Sequence, residues 1–164
     1  MNKAGLALSQ TRSAEATLAD AWRRVSERQS AEHEWAYNGR RFHDECLGHI
    51  HALAEVAPRY GADVDDEDED RQYFQGIAGR LRERVSEVVA RRPASGLLLL
   101  RDQRTMFTLG YAASFHWIVL GQVAQAIRDQ QLLTLVDRCH QDVLTQVKWV
   151  KSEIKASAPQ VLCS

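Results

Sequence analysis

Glutamate and histidine side chains stand near the middle of several predicted helices, and both residue types bind transition metals. They are Glu15, Glu45, His49, His116 and His140. Mid-helix positions share one level in an antiparallel bundle, so we expect these five side chains to converge in the core. Neutral imidazoles with carboxylates suit iron, manganese or zinc. The set therefore predicts a metal site without identifying its metal.

A core without any metal is the competing interpretation of the same residues. A histidine among apolar neighbours is more often hydrogen-bonded within the core, and a flanking glutamate usually faces water or pairs with an arginine. Two alternatives therefore stay open. Either the protein has no cofactor, or it holds iron or manganese on the five residues.

Other groupings of reactive residues match known sites poorly. His43, His49 and His51 lie at different angles around one helix, so they cannot share one ion as the histidines of hemerythrins do. The acidic stretch 63–70 lacks the central glycine and the closing glutamate of a calcium-binding loop. GxGxxG and GxSxG motifs are absent, which argues against ordinary hydrolase, kinase and dehydrogenase chemistry. A small apolar ligand between the last two helices is a further hypothesis, with a cavity expected near Gly110, Trp117 and Gly121.

Five helices are expected to position these side chains. Apolar residues recur every three or four positions over about 8–29, 31–57, 71–91, 97–128 and 131–156, which is the spacing of a helix face. Ser30 is the expected N-cap of the second helix, Gly61 its C-terminal signal and Pro159 the end of the last helix. No run alternates apolar and polar residues as a half-buried strand does. We therefore predict one all-α domain over residues 1–164, with an acidic loop at 63–70 and the fourth helix innermost.

The order and lengths of these helices resemble a known bundle. Two long helical hairpins follow one another, with a shorter helix between them as the crossover. A buried helix turns directly into the last long helix in FHWIVLGQVAQAIRDQQLLTLVDRCHQDVLTQVKWV, residues 115–150. In these features the chain resembles the ferritin-like superfamily, in particular its small stress-associated bacterial four-helix-bundle proteins.

The resemblance implies a function only in outline. Its two-metal members use a glutamate from each of two helices and a Glu-x-x-His pair from each of the other two. Here Glu45 is followed at that distance by Gly48, and Asp142 by Thr145, so neither pair is complete. The resemblance thus implies a stress-related or scaffold protein without the full ferroxidase site, acting as a homodimer through exposed helix faces. The alternative is a divergent di-metal oxidoreductase or metal-binding protein that uses the five mid-helix residues.

Charge and cysteine content narrow the expected partners. The formal net charge is −1, so no general attraction to nucleic acid is expected. The three cysteines include no CxxC pair, which favours the reducing cytoplasm of a bacterial-type cell over a disulfide framework. Residues 106–127 are uncharged and long enough to cross a bilayer, but polar residues spread through them favour a buried helix and no membrane partner.

Overall fold

The computed structural model describes residues 3–62 and 95–163, together with Gly76 and Gly79. In these ranges the chain is helical and contains no strand, which confirms the all-α prediction for the described part. The elements are α1 (Lys3–Arg28), α2 (His33–Val56), a 3₁₀ turn (Ala57–Tyr60), α3 (Ser95–Ala126) and α4 (Gln130–Leu162). The predicted acidic loop 63–70 lies outside the described residues, as does the predicted helix 71–91 apart from its two glycines.

Helix ends follow local chemistry in most places. Gly61 closes the 3₁₀ turn with a φ of 61°, as its C-terminal signal predicted. The Asp129 side chain caps α4 by accepting a 2.9 Å hydrogen bond from the backbone N–H of Leu132. Two expected helix ends are corrected, the start of α2 and the end of α4. The N-cap of α2 is Glu32 rather than Ser30, because the N–H of Glu32 closes a turn onto the Gln29 carbonyl.

The last helix also continues past its predicted end. Pro159 lies inside α4, which runs to Leu162 rather than to residue 156. A proline removes one backbone donor, and a side-chain contact compensates for that loss. Val161 packs so closely on Gly96 of α3 that a Cβ at Gly96 would lie 2.8 Å from its Cγ2. The final turn of α4 is therefore held against the start of α3.

Contacts between helices establish their directions. α1 is antiparallel to both α2 and α3, and α3 is antiparallel to α4. The supporting pairs are Glu15–His49, Arg28–Asp102, Thr11–His116, Gln103–Ser157 and Ser114–His140. α2 and α3 consequently run the same way, so Ala62 and Ser95 lie at opposite ends of the bundle. The α2–α4 contact is the least extensive of those between the long helices that touch.

An aromatic cluster forms one half of the core. Trp22 of α1 lies 4.9 Å from Phe42 of α2, and Trp35 lies 4.7 Å from Trp149 of α4, measured between ring centroids. Trp22 and Phe42 are fully buried. Such large rings bury much apolar surface, which holds the two hairpins together.

The helix that we expected innermost buries only one face. Met106, Ala113 and Leu120 of α3 are buried against α1 and α4. On its other face, Phe115 is 60% exposed and Ile118 is 51% exposed. The prediction that this helix is innermost is therefore wrong for the described residues, because α3 packs on α1 and α4 and leaves its outer face exposed.

Two glycines of α3 let α4 approach closely. A Cβ at Gly110 would lie 2.6 Å from Cγ2 of Val147, and one at Gly121 would lie 3.2 Å from Cγ1 of Val136. Valine side chains thus pack at two of the residues around which an apolar cavity was predicted, and the apolar-ligand hypothesis remains a prediction. No helix in the described ranges has the length and apolarity required to traverse a lipid bilayer.

Candidate metal centre

Glu15 is a carboxylate in the centre of the bundle with no exposed surface. Its Oε1 accepts a 2.5 Å hydrogen bond from the indole Nε1–H of Trp117 on α3. Its Oε2 lies 3.2 Å from Nδ1 of His49 on α2. A buried carboxylate needs such partners, because its desolvation costs several kcal/mol. Glu15 thus links three helices at one level of the core.

His49 stands between two carboxylates. Its Nδ1 faces Glu15, and its Nε2 lies 3.2 Å from Oδ2 of Asp142 on α4. Burial alone would lower the pKa of His49, but hydrogen bonds and charges from Glu15 and Asp142 outweigh it and raise the pKa above its usual value. The ring also meets Trp117 edge to face, with centroids 5.9 Å apart. Its orientation is therefore set from both sides.

Cys46 brings a sulfur to the same place. It precedes His49 by three residues, so both side chains lie on one face of α2. The donor atoms of Glu15, Cys46 and His49 all lie within 4.8 Å of one another, and all three residues are buried. Burial raises the pKa of the Cys46 thiol well above its usual value, and the charge of Glu15 raises it further. Without a bound cation the sulfur is therefore a thiol.

Gln146 of α4 borders the sulfur and is 1% exposed. Its Oε1 accepts a 2.9 Å hydrogen bond from Nε1–H of Trp22. Its Nε2 donates to Oε2 of Glu45 at 3.2 Å and lies 3.8 Å from Sγ of Cys46. The amide thus joins the aromatic cluster to the thiol.

The structure brings together two of the five residues that were predicted to bind metal. Glu15 and His49 meet, whereas the other three lie outside the group of converging donor atoms. Glu45 is an ion-pair partner of Arg41 at 3.5 Å and accepts a 3.2 Å hydrogen bond from Gln146 at the edge of the centre. Nε2 of His140 pairs with Oγ of Ser114 at 2.8 Å, and burial lowers the pKa of this histidine. The backbone carbonyl of His116 accepts a hydrogen bond from Thr11.

Sequence reasoning overlooked four residues of the centre. Cys46 had a visible signal, since Cys-x-x-His places a sulfur and an imidazole on one helix face at metal-ligand spacing. The carboxylate motif of two-metal bundles does not include such a cysteine. Asp142, Gln146 and Trp117 carry no comparable signal, because only the packing of α3 and α4 brings them to α2.

The donor atoms fit one ion better than two. A two-metal bundle site needs four carboxylates and two imidazoles, but the converging group contains one carboxylate, one thiol and one imidazole. Two donor atoms on a tetrahedral metal lie about 3.3 Å apart, given bonds of about 2.0–2.1 Å. The separation of Glu15 Oε2 and His49 Nδ1 is 3.2 Å. A single divalent ion therefore suits the Glu15–His49 pair, and the sulfur lies within 4.8 Å of both donor atoms.

Comparison with known proteins assigns no family to this geometry. The chain matches no family model, no curated protein and no solved structure. The centre is accordingly interpreted from its own distances, burial and charge.

Proposed function

We propose that this helical-bundle protein binds one divalent transition-metal ion in its core, with Glu15, Cys46 and His49 as ligands. The observation that carries the proposal is the convergence of three different donor atoms within 4.8 Å at fully enclosed positions. Buried ionisable groups are costly unless they are paired or bind a metal. The centre places two of them and a thiol at one point.

Charge supports a cation at this point. His49 contacts two carboxylates, so the group carries excess negative charge even when the imidazole is protonated. A metal on Nδ1 of His49 would take the place of the proton shared with Glu15. Asp142 would then accept the hydrogen bond from Nε2–H, which is the usual outer partner of a metal-bound histidine.

Three protein ligands define the chemistry that a bound ion would supply. Structural zinc sites are closed by four protein ligands, whereas catalytic sites leave one position for water or substrate. A bound ion here would supply Lewis acidity at such a position. Asp142 is 46% exposed at its side chain and lies on α4, whose contact with α2 is the least extensive between the long helices that touch. We therefore place the route to the ion between these two helices.

For the fold, the proposal is a ferritin-like bundle whose metal site has fewer ligands than a two-metal site. Its support is the common direction of α2 and α3, which is what two hairpins joined by a long crossover require. The three cysteines are free, which agrees with a reducing compartment. A stress-related role in the bacterial cytoplasm belongs to this proposal.

Metal content of the purified protein tests the proposal. After incubation with Zn²⁺, Fe²⁺ or Mn²⁺ and gel filtration, we expect near one equivalent of metal by mass spectrometry. His49→Ala and Cys46→Ser should lose it, whereas Glu45→Gln and His140→Ala should keep it because these side chains lie outside the converging group. A metal-free wild type after all three incubations would overturn the proposal, as would equal loss in all four variants.

A second candidate function is self-association as a scaffold, which the outer face of α3 favours. This face, here called the α3 stripe, follows helical spacing and is half exposed or more at its centre. Its residues are Arg104, Thr108, Tyr111, Phe115, Ile118 and Gln122. Exposed aromatic and aliphatic side chains in one row mark an interaction surface.

The occupant that suits the α3 stripe is a second copy of the chain. In an antiparallel pair of α3 helices centred on Phe115, Arg104 of each copy faces the C-terminal end of the partner's α3. A cation is favourable at that end of a helix dipole. We expect a dimer in analytical ultracentrifugation that Phe115→Asp converts to a monomer. Thr134→Asp, at an exposed position of α4, is the control and should leave the dimer intact. A wild-type monomer at all concentrations would refute this candidate.

A further inference from the structure

Gln146 is a buried amide beside the sulfur of the proposed metal centre. Its orientation is determined by Trp22, because an indole nitrogen can only donate a hydrogen bond. Trp22 Nε1–H therefore selects the Gln146 oxygen, at 2.9 Å. The amide nitrogen therefore faces Glu45, to which it donates at 3.2 Å, and the Cys46 sulfur lies 3.8 Å from both the nitrogen and the oxygen of the amide.

Elements from three helices thus act on one sulfur atom. Trp22 of α1 holds the amide of Gln146 on α4. The Cys46 thiol of α2 lies 3.8 Å from both ends of this amide, so it can donate to the oxygen or accept from the N–H. A metal-bound sulfur has no proton to donate, so the N–H contact is the one that remains. Glu45 accepts the second contact of the same nitrogen at 3.2 Å. All of Trp22, Cys46 and Gln146 are at most 1% exposed, so water does not compete for these contacts.

We infer that Gln146 is a positioning residue that directs the Cys46 sulfur toward the ion and makes the centre selective for thiophilic metals. The inference rests on the proposed metal-binding function and deepens it. Soft sulfur ligands favour zinc and cobalt over manganese and magnesium, which prefer oxygen. An N–H donor to a metal-bound sulfur also stabilises the charge on that sulfur.

The proposed selectivity predicts an order of affinity among the metal ions. Zn²⁺ and Co²⁺ should bind in preference to Mn²⁺, so among the iron, manganese and zinc that the residue types suit, zinc is favoured over manganese. Residues that hydrogen-bond to a metal ligand commonly contribute roughly 10–100-fold to metal affinity. Loss of the Gln146 donor should therefore reduce the preference for Zn²⁺ over Mn²⁺ by about 10-fold or more.

Cobalt spectroscopy tests this inference on the full-length protein. Co²⁺ bound to the wild type should show a sulfur-to-cobalt charge-transfer band, which Cys46→Ser abolishes. Gln146→Met keeps the size of the side chain but removes the N–H donor, so the band should move to lower energy. Gln141→Met, at an exposed position of α4, is the matched control and should leave the band in place.

A second variant keeps the test decisive if Gln146→Met does not fold. Gln146→Glu retains an oxygen for Trp22 but offers an anionic oxygen toward the ion, and it should shift competition toward Mn²⁺. A charge-transfer band and a Zn²⁺ preference that neither variant changes would overturn the role of Gln146 and leave the metal site standing. Binding of Fe²⁺ or Mn²⁺ without Co²⁺ or Zn²⁺ would overturn the selectivity alone, and a wild type that binds none of the four ions would overturn the proposed function itself.

Discussion

Replacing Glu15 by leucine removes the group around which the centre is built. The carboxylate is fully buried, and it contacts both Trp117 Nε1 and His49 Nδ1. Leucine offers neither atom a hydrogen bond. The substitution therefore measures how strongly the bundle depends on this polar link.

The magnitude follows from the two partners left behind. A buried polar group without its hydrogen bond costs about 1–3 kcal/mol. Burying the leucine side chain offsets about 1.5–2 kcal/mol of the loss from Trp117 and His49 together. We expect Glu15→Leu to lower the free energy of unfolding by about 2–3 kcal/mol. For a chain of this length, that corresponds to a Tm lower by about 5–10 °C.

Glu15→Gln is the matched control for this substitution. Its amide keeps an oxygen for Trp117 and offers an N–H to Nδ1 of a neutral His49. In guanidinium unfolding with a chelator present, we expect it to stay within about 1 kcal/mol of the wild type. If Glu15→Leu proved as stable as Glu15→Gln, the polar link would contribute nothing and the reasoning would fail.

Three further predictions concern the frame of the site. A Cβ at Gly39 would lie 2.7 Å from Ser26 Cβ, so in thermal unfolding Gly39→Ala should destabilise the protein by about 1–3 kcal/mol. Gly48 has open space around it, so Gly48→Ala should stabilise the protein by about 0.5–1 kcal/mol in the same assay. Burial and the Asp129 carboxylate raise the pKa of Tyr60 to about 12. The stability that this raised pKa contributes is complete below about pH 10 and is lost as pH rises through the folded-state pKa. Tyr60→Phe should therefore flatten this part of the stability–pH profile. An unchanged slope in the variant would contradict the raised pKa. Asp102 is buried and accepts from Arg28 at 2.7 Å and 2.9 Å, so Asp102→Ala should lower the free energy of unfolding by about 1–3 kcal/mol in urea, and a neutral result would count against this contact.

Local chemistry made much of the fold predictable. Gly61 and Asp129 end and begin elements where their side-chain properties require it. The exposure of α3 was not predictable in the same way. Its apolar residues surround the helix, and a hydrophobic pattern alone cannot say how many neighbours will cover it.

Part of the site follows from the local sequence, and part depends on the tertiary packing of the helices. The pairing of Glu15 with His49 follows from two mid-helix residues on an antiparallel hairpin, which the sequence predicts. His140 sits at a comparable level of its helix but pairs with Ser114. This partner lies on α3, and only the packing of α3 against α4 brings the two side chains together.

X-ray absorption at the zinc edge of the zinc-loaded protein tests the metal centre most directly. We expect one sulfur at about 2.3 Å and nitrogen or oxygen neighbours at about 2.0–2.1 Å. Cys46→Ser should lose the bound zinc, and with it the sulfur shell, and leave the helical content unchanged. A spectrum with nitrogen and oxygen neighbours alone, identical in the wild type and Cys46→Ser, would contradict the assignment of Glu15, Cys46 and His49 as the ligands.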